Sequence, residues 1–557
     1  MKKLYLFALL LVLAFLSIQL VLSRLDSQTT DEAVHIAAGY TYLKTNDYRF
    51  NPEHPPPVKK LAALPLLFMK LDTPDPTYWN AASSFFYDSW RENRQFGEDL
   101  IYSLKGNVQE ILFATRIPMV LLSVALAIAV FMVSYRMWGG RGAIISLGLC
   151  LLDPLINGHS HLVTTDVAVS LGFLLSLYCF WIFLNAPSYK NALLLGLIVG
   201  FTQLFKFTAI IVYPAFLVLF LGFIIYRRVT AKSLLRIFGK IILSLAVILL
   251  VIFVGYGFSF YVAPKSDVAI EQLGQDTGFN DMIVEKISQS GSFREIYDKA
   301  RYVLVPKEYY KGLVMVFSHT RGGHDSYLLG ETSKTGWWYY FPILVLLKTP
   351  IPALILVAVG LYFALKDKDK KKTAVFMLSG AFLFLLFAMS SKANLGLRHV
   401  MPIFPVLYVL SGSLGLLKSR KLNYLVLALF IWLVGEYIVA FPYYLSYFNQ
   451  LAGGKWNGYK IASDSNFDWG QDLYRIKKYL DYNPGIDEPY IEYSWSGESA
   501  LDYFGIKRRP LSELNAESKG YLIIGSSALV SEKYDWLREG YSPVDRITPS
   551  VFVYYLE

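Results

Sequence analysis

The sequence predicts an all-α membrane protein with about 11 transmembrane helices and a small α/β domain at its C-terminal end. Composition is the first observation: 54% of the 557 residues are hydrophobic and only 17% are charged, which excludes a soluble enzyme with one anchor. The second is the recurrence of long apolar runs along the chain. The third is that lysines and arginines gather beside alternate ends of these runs.

The first apolar run begins at Leu4, after Met1-Lys2-Lys3, and ends at Leu22. A cleaved signal peptide is the alternative, but its apolar core is usually shorter and ends at a small-x-small cleavage site, whereas Ser23-Arg24 follows here. We therefore expect a retained spanning helix. Further apolar runs occur near residues 111–135, 143–157, 166–184, 191–205, 207–225, 237–261, 339–365, 373–390, 399–417 and 422–442.

The basic residues predict the orientation, because lysine and arginine beside the spans favour the cytoplasmic side. An N-terminus in the cytoplasm places the largest basic clusters on that side and leaves the other side with few basic residues. Three long segments then face outward, at residues 23–110, 262–336 and about 443–557. The cytoplasmic clusters are Lys2-Lys3, Arg136 with Arg141, Lys190, Arg227 to Lys240, the lysines of residues 366–372, and Lys418 to Lys421.

This topology divides the chain into a membrane domain, residues 1–442, and an extracytoplasmic α/β domain, residues 443–557. In the second, residues 489–495, 520–527 and 550–556 are strand-like, while residues 471–480 and 528–538 have helical spacing. The net charge of +10 is explained by topology and requires no nucleic-acid partner. Both cysteines, Cys150 and Cys179, lie in predicted spans, so we expect buried thiols rather than a disulfide framework.

Two acids follow the first span. Asp31 and Glu32 begin a segment with Ile36, Tyr40 and Leu43 at helical spacing, which predicts a helix lying in the outer interface. A positioned carboxylate there could act as a general base. Alternatively, acids in a first helical turn simply stabilise the helix dipole.

A stiff element follows at Glu53, His54 and Pro55-Pro56-Pro57, and ends at Lys59 and Lys60. Proline fixes the backbone, so His54 and the lysines would be held in place. Two interpretations are equally open, a substrate-binding element and a turn at the lipid surface whose lysines attract anionic headgroups.

A third cluster lies between the third and fourth spans, at Asp153, His159, His161 and Thr164-Thr165-Asp166. Thr165 or Asp166 could cap the fourth span. The two histidines are too short a pattern for a zinc site, which normally draws three or more ligands from several segments.

Together these motifs resemble the C-type (GT-C) membrane glycosyltransferases, in the protein O-mannosyltransferase-like branch of prokaryotic type. The resemblance rests on Asp31-Glu32, on His54-Pro55-Pro56 with a lysine after it, and on Thr164-Thr165-Asp166. Further similar segments are residues 327–330, 336–342, 348–350, 396–399 and 463–472. It implies transfer of one sugar from a polyprenyl-phosphate donor to a protein, lipid or glycan acceptor on the outer side, with inversion.

The resemblance also implies roles for individual residues. Asp31 matches the catalytic acid of the first outer loop, Glu32 is its neighbour, and Asp166 matches a second acid. A departing lipid phosphate requires positive charge, and snorkelling to the interface is the alternative for each candidate cation. The candidate cations are Lys59, Lys60, Lys206, Arg398 and Arg116, and the candidate substrate-binding residues are Glu53, His54, His324 and His399.

Other expectations concern the outer segments. Residues around His319, Arg321, His324, Asp325, Glu331 and Lys334 are expected to form an acceptor-facing lid, although an aromatic belt explains Trp337-Trp338 equally well. Asp468 to Asp472 are expected to start a helix. No segment resembles the β-trefoil of eukaryotic protein mannosyltransferases, so sugar and acceptor stay open, as does use of a divalent metal.

Two other classes of function are compatible with a membrane protein. A transporter or flippase for a lipid-linked sugar is expected to show repeated halves and polar residues near mid-membrane. Here the ionisable residues gather at one face and the outer segments are unequal. A sensor or scaffold would not explain acids and cations at several span ends, so a glycosyltransferase is the favoured interpretation.

Overall fold

The computed structural model describes residues 2–69, 71, 88–102, 107–258, 306–493 and 497–557. The described chain is mostly helical, with two small sheets, which confirms the predicted class. Its helices are α1 (Lys2–Leu25), α2 (Thr30–Thr45), α3 (Pro56–Ala63), α4 (Asp88–Tyr102), α5 (Val108–Leu151), α6 (Pro154–His159), α7 (Asp166–Asn185), α8 (Tyr189–Phe205), α9 (Val212–Arg227), α10 (Ala231–Gly255), α11 (Lys307–Gly322), α12 (Tyr340–Lys348), α13 (Ile351–Lys366), α14 (Lys371–Met389), α15 (Ile403–Ser411), α16 (Arg420–Ala440), α17 (Leu473–Tyr482), α18 (Glu498–Tyr503), α19 (Ser526–Leu529) and α20 (Asp535–Gly540).

Seven helical segments of the described chain are long and apolar enough to cross a membrane: α1, α5, α7, residues 207–227, α10, α14 and α16. The pair α12 and α13, bent by 109°, gives an eighth if counted as one span. Two shorter apolar helices, Tyr189–Phe205 and Ile403–Leu416, account for two more of the predicted runs. The protein is thus a multi-pass membrane protein.

Helix α5 contains two of the predicted spans. Gly139 is non-helical, at φ 75° and ψ −172°. Ser146 Oγ donates to Ser134 Oγ at 2.8 Å, whereas residues 12 apart in a straight helix lie about 18 Å apart. The chain therefore folds back at Gly139, as the separate runs 111–135 and 143–157 predict.

Helix α2 is buried rather than interfacial, which corrects the expectation from its spacing. Every residue from Glu32 to Tyr42 is buried. A Cβ at Gly39 would lie 2.0 Å from the Lys59 carbonyl oxygen of α3, and a Cβ at Gly97 of α4 would lie 2.4 Å from the Ala33 carbonyl oxygen. Close packing of α3 and α4 therefore encloses α2 and fixes its N-terminal end.

An exposed apolar part of the first outer segment lies further along the chain. The 3₁₀ helix Leu64–Phe68 exposes Leu64, Leu67 and Phe68, the last by 91%. Exposed apolar side chains beside buried ones are what a segment in the lipid interface requires.

The strands are β1 (Ser326–Leu328), β2 (Glu331–Ser333), β3 (Tyr490–Glu492), β4 (Gly520–Gly525), β5 (Asp545–Thr548) and β6 (Val551–Leu556). β1 and β2 form an antiparallel hairpin. The other four form a sheet of order β3-β4-β6-β5, in which β3 and β4 are parallel and the other pairs antiparallel. Three of its strands match the predicted ones. β5 was not predicted, because it is short, polar at its start and interrupted by a register shift.

Candidate functional site

Four charged side chains from four separate elements meet at the ends of the spans. Asp31 lies in the first turn of α2 and Asp166 is the first residue of α7. Lys206 follows α8, and Arg398 lies in the 3₁₀ helix Leu397–Val400. We call these four residues the acidic–basic cluster.

The cluster is continuous. Arg398 Nη1 lies 2.9 Å from Asp31 Oδ2 and 3.5 Å from Asp166 Oδ2. Lys206 Nζ lies 2.6 Å from Asp166 Oδ1. The side chains of Asp166, Lys206 and Arg398 are buried, whereas that of Asp31 is 20% exposed. Asp31 is therefore the more exposed of the two carboxylates in the cluster.

Several polar atoms of the cluster have no hydrogen-bond partner within the described residues. Asp166 Oδ2 is buried and accepts no hydrogen bond from them. Among the described residues, Arg398 donates hydrogen bonds only through Nε and Nη1, so both hydrogens of Nη2 are unused there. Lys206 Nζ makes one hydrogen bond, to Asp166, of the three that an ammonium can make. Buried polar groups are normally satisfied, so the buried Asp166 Oδ2 and the unused donors beside it are suited to a ligand.

Glu32 and Arg116, in contrast, form a closed internal pair. Both side chains are fully buried, and their closest approach is 2.6 Å. Arg116 uses all five N–H donors, two on Glu32 and three on the carbonyl oxygens of Ser23, Asp26 and Ser27. Glu32 also accepts from the Thr29 and Val163 amides. These contacts favour a structural role for the pair, and the expected catalytic role of Glu32 and phosphate-binding role of Arg116 stay predictions.

The electrostatics of Glu32 agree with this assignment. Burial alone would raise the pKa of Glu32, but the Arg116 charge and the hydrogen bonds outweigh it and hold that pKa below its ordinary value. Glu32 is therefore a permanent carboxylate and a poor proton shuttle.

Lys59 and Lys60 differ from each other. Lys59 is completely buried, and its Nζ donates to Tyr42 Oη and to both oxygens of Asn51. Burial also holds the pKa of Lys59 well below its ordinary value. Lys60 is half-buried and donates to Tyr48 Oη at 2.6 Å. A phosphate could contact Lys59 only if its internal contacts opened, so its predicted role stays a prediction.

Two histidines lie beside the cluster. The His35 and His54 rings meet edge to face, with centroids 5.2 Å apart. His35 contacts the Val163 carbonyl oxygen through Nδ1, at 2.8 Å, whereas Nδ1 of His54 is buried and has no hydrogen-bond partner among the described residues. Burial holds the pKa of both rings below the ordinary value, and this effect is partly opposed by the charge of Asp31 at His35 and by that of Glu53 at His54. Both imidazoles are thus neutral near pH 7.

His159 and His161 belong to different environments. His159 is buried, its Nδ1 has no hydrogen-bond partner among the described residues, and burial lowers its pKa to about 3. His161 Nε2 lies 3.0 Å from Asp26 Oδ2, and Arg475 Nη2 lies 2.8 Å from Asp26 Oδ1. His161 is therefore part of a contact between the membrane domain and α17.

The expected lid is only partly described. His324 is half-buried before β1 and bonds the Asp325 carbonyl oxygen through Nδ1. The side chains of His319 and Arg321 lie outside the described residues. The Leu329 amide donates to the Ile461 carbonyl oxygen at 2.9 Å, so the hairpin packs on the C-terminal domain. His399 follows Arg398 directly, in the same 3₁₀ helix.

The segment Ser463–Asp472 contributes residues that sequence reasoning missed. Ser465 Oγ accepts from Arg398 Nε at 3.0 Å, and the Trp469 ring lies 4.0 Å from the Arg398 guanidinium carbon. The Asn466 side-chain oxygen accepts from the Leu397 amide. The resemblance singled out this segment, but local spacing indicated only the start of α17, which does begin at Leu473.

No group of three or more histidine, cysteine, aspartate or glutamate side chains in the described part of the chain is arranged to hold a metal ion. Use of a divalent metal therefore stays a prediction without a site among these residues. Both cysteines are free thiols, Cys150 buried and Cys179 half-buried.

A known protein family matches part of the chain, including two of the four residues of the cluster. The family described as dolichyl-phosphate-mannose-protein mannosyltransferase matches residues 99–255, which include Asp166 and Lys206 of the cluster. Asp31 and Arg398 lie outside the matched region. No curated protein sequence matches the chain significantly.

Solved structures of similar chain path include ArnT from Cupriavidus metallidurans in the apo state, at 12% identity and a TM-score of 0.49 over 99% of this chain and 98% of that one. The same protein bound to undecaprenyl phosphate gives 11% identity, with the same coverage and TM-score. The oligosaccharyltransferase AglB from Archaeoglobus fulgidus, in complex with an inhibitory peptide and a dolichol-phosphate, gives 12% identity and a TM-score of 0.44 over 98% of this chain and 74% of that one. Similarity at this level supports no residue correspondence. The sequence match over residues 99–255 confirms, for that part of the chain, the resemblance to the C-type membrane glycosyltransferases.

Proposed function

We propose that this protein transfers one sugar from a polyprenyl-phosphate donor to a protein, lipid or glycan acceptor at the outer face of the cell membrane. The observation that supports this most directly is the acidic–basic cluster. It combines a partly exposed carboxylate, Asp31, with two buried cations, Arg398 and Lys206, that keep unused N–H donors among the described residues.

The reaction has a simple balance of bonds. The acceptor hydroxyl oxygen forms a bond to the anomeric carbon, and the bond from that carbon to the phosphate oxygen breaks. The phosphate leaves with the bonding electron pair, and the hydroxyl proton goes to Asp31. A single displacement of this kind inverts the anomeric carbon. A positioned base contributes roughly 10²–10⁴-fold to such a step.

The leaving polyprenyl phosphate gains negative charge as the sugar departs. Positive groups that already face the phosphate stabilise this charge at little cost in reorganisation. Arg398 Nη2 and two hydrogens of Lys206 Nζ are available for it, whereas Arg116 has no donor left. Asp166 then holds Lys206 in place through its Oδ1 contact and lies beside the reacting groups as the second acid of the site.

The sequence match supports the donor class, because the matched family is named for a dolichyl-phosphate-linked sugar. Within that class the proposal includes mannose among the candidate sugars, and both dolichyl and undecaprenyl carriers. The distribution of basic residues supports a cytoplasmic N-terminus and an extracytoplasmic C-terminal domain. In the proposed orientation the cluster lies at the outer ends of the spans.

The test measures release of polyprenyl phosphate by purified protein in lipid, from a panel of polyprenyl-phosphate sugars, with envelope extract as acceptor. Asp31→Asn is expected to lower turnover by roughly 10²-fold or more while retaining donor binding. Asp47→Asn is the matched control, because Asp47 lies in the same outer segment and pairs with Arg49 instead of the cluster.

Two results would contradict the proposal. Unchanged turnover in Asp31→Asn would remove Asp31 as the base and leave Asp166 as the candidate. Binding of the lipid-linked sugar without turnover for any donor would favour a transporter or flippase.

A further inference from the structure

We propose that Trp469, a residue of the C-terminal domain, positions Arg398 so that its Nη2 stays available to the donor phosphate. This inference rests on the proposed function, in which Arg398 binds that phosphate. The inference gives a residue of the C-terminal domain a role in the candidate site, whereas all the site residues predicted from the sequence lie in the membrane domain.

The first support is the stacking geometry. The guanidinium carbon of Arg398 lies 4.0 Å from the centre of the Trp469 ring. Trp469 is only 2% exposed, so the contact is shielded from water. A cation over the face of an indole is attracted by its quadrupole, and more strongly when both groups are desolvated. The plane of the guanidinium is thereby fixed.

The second support is the contact at Nε. Ser465 Oγ accepts from Arg398 Nε at 3.0 Å and itself donates to the Leu395 carbonyl oxygen at 2.9 Å. A Cβ at Gly396 would lie only 2.2 Å from Ser465 Oγ, so the segment approaches the 3₁₀ helix of Arg398 closely at this glycine. Ser465 therefore fixes the rotation of the guanidinium within its plane.

These two contacts have a chemical consequence. Arginine prefers to pair with a carboxylate through two parallel N–H···O bonds. Arg398 instead gives Nη1 alone to Asp31, with Asp166 Oδ2 at 3.5 Å. A guanidinium free to turn could satisfy both nitrogens on these acids and leave nothing for a ligand. Trp469 and Ser465 oppose that turn.

Trp469 is itself anchored to other parts of the site. Its carbonyl oxygen accepts from the amide of Thr30, the residue before Asp31, at 3.1 Å. Its ring meets the His159 ring edge to face, with centroids 5.9 Å apart. Its amide donates to Gln471 Oε1 at 2.7 Å. Movement of the C-terminal segment would thus disturb Arg398 and the base together.

The experiment measures the affinity of full-length protein in nanodiscs for undecaprenyl phosphate, and the donor KM and kcat. Trp469→Leu removes the aromatic face and is expected to weaken binding of the probe roughly tenfold or more. Trp469→Phe keeps an aromatic face and is expected to restore most of the affinity. Trp456→Leu is the matched control, because Trp456 stacks on Arg546 in the same domain instead of on Arg398.

A double-mutant cycle separates positioning from folding. In an Arg398→Gln background, Trp469→Leu is expected to cost little further affinity, since the group it positions is gone. An equal loss in both backgrounds would overturn the inference, as would a loss that Trp469→Phe does not restore. If Trp469→Leu fails to fold, Ser465→Ala takes its place, and unchanged affinity in that variant would also overturn it.

The two proposals fail in different ways. Wild-type protein that neither binds the probe nor turns over any donor overturns the proposed function, and the inference with it. If wild-type protein binds the probe and turns over a donor, while Trp469→Leu behaves as Trp456→Leu does, the inference alone is overturned.

Discussion

Asp31 and Glu32 are neighbours in the chain but have opposite environments: Asp31 is 20% exposed and pairs with Arg398, whereas Glu32 is fully buried and pairs with Arg116. The helix turns by about 100° per residue, so consecutive side chains face different surroundings. One position therefore faces the candidate active site and the other faces the protein interior.

Arg116→Met is expected to destabilise the protein strongly. It leaves the Glu32 carboxylate buried without its cation, a change that typically costs about 3–5 kcal/mol. Thermal unfolding of purified protein measures this effect. The double variant Glu32→Gln with Arg116→Met is expected to recover part of the loss, because no unpaired charge remains. A loss of donor affinity at unchanged unfolding temperature would contradict the structural assignment.

Lys206→Met is expected to weaken binding of a polyprenyl phosphate by roughly tenfold or more, because it removes a buried donor of charge-assisted hydrogen bonds. Asp166→Asn with Lys206→Met controls for the acid that would be left unpaired. Lys60→Met is the comparison, since Lys60 is a half-buried lysine of the first outer segment that bonds Tyr48. Equal losses of affinity in Lys206→Met and Lys60→Met would contradict the assignment of phosphate binding to Lys206 instead of Lys60.

Much of the helical fold follows from hydropathy, because apolar runs of spanning length have few alternatives in a membrane. Even the reversal at Gly139 follows from the gap between two runs. The burial of α2 could not be predicted, since its spacing of apolar residues fits an interface and an enclosed helix equally. What encloses it is the close approach of α3 and α4 at Gly39 and Gly97.

The candidate site is only partly predictable from the sequence. Asp31, Asp166, Lys206 and Arg398 were candidates because each is ionisable and lies at a span end. The sequence could not distinguish these four residues from Arg116, which is also an ionisable residue at a span end. The difference is that the N–H donors of Arg116 are already used in hydrogen bonds within the protein. Trp469 gave no local signal, because its contact with Arg398 joins residues far apart in the chain.

Gly39→Ala is expected to destabilise the protein although alanine favours helices. Its Cβ would lie 2.0 Å from the Lys59 carbonyl oxygen, so α3 would have to move, at a cost of about 1–3 kcal/mol or more. Gly222→Ala is the matched control in helix α9, where nothing among the described residues outside the adjoining backbone of that helix lies within 4 Å of the added Cβ. That variant is expected to gain up to about 1 kcal/mol. Equal unfolding temperatures for both variants would contradict the packing of α2 on α3.

Asp468 is expected to make the stability of the protein depend on pH. It is 1% exposed, and burial, with repulsion from Asp472, raises its pKa to about 7. Its Oδ1 is buried and has no hydrogen-bond partner among the described residues, so the charged form is poorly stabilised. The folded state thus holds a proton that the unfolded chain releases near the ordinary aspartate pKa of 3.8.

Because the pKa of Asp468 is higher in the folded than in the unfolded protein, its contribution to stability falls as pH rises from about 4 to about 7 and is constant above that range. Asp468→Asn keeps an acceptor for the Ser527 amide but cannot ionise. We therefore expect the variant to unfold at a higher temperature than wild type at pH 8, with a smaller difference at pH 5. Thermal unfolding of both proteins across this range measures the effect. A difference that does not change with pH would show that Asp468 is charged throughout, which would require a partner for its Oδ1 in the folded protein.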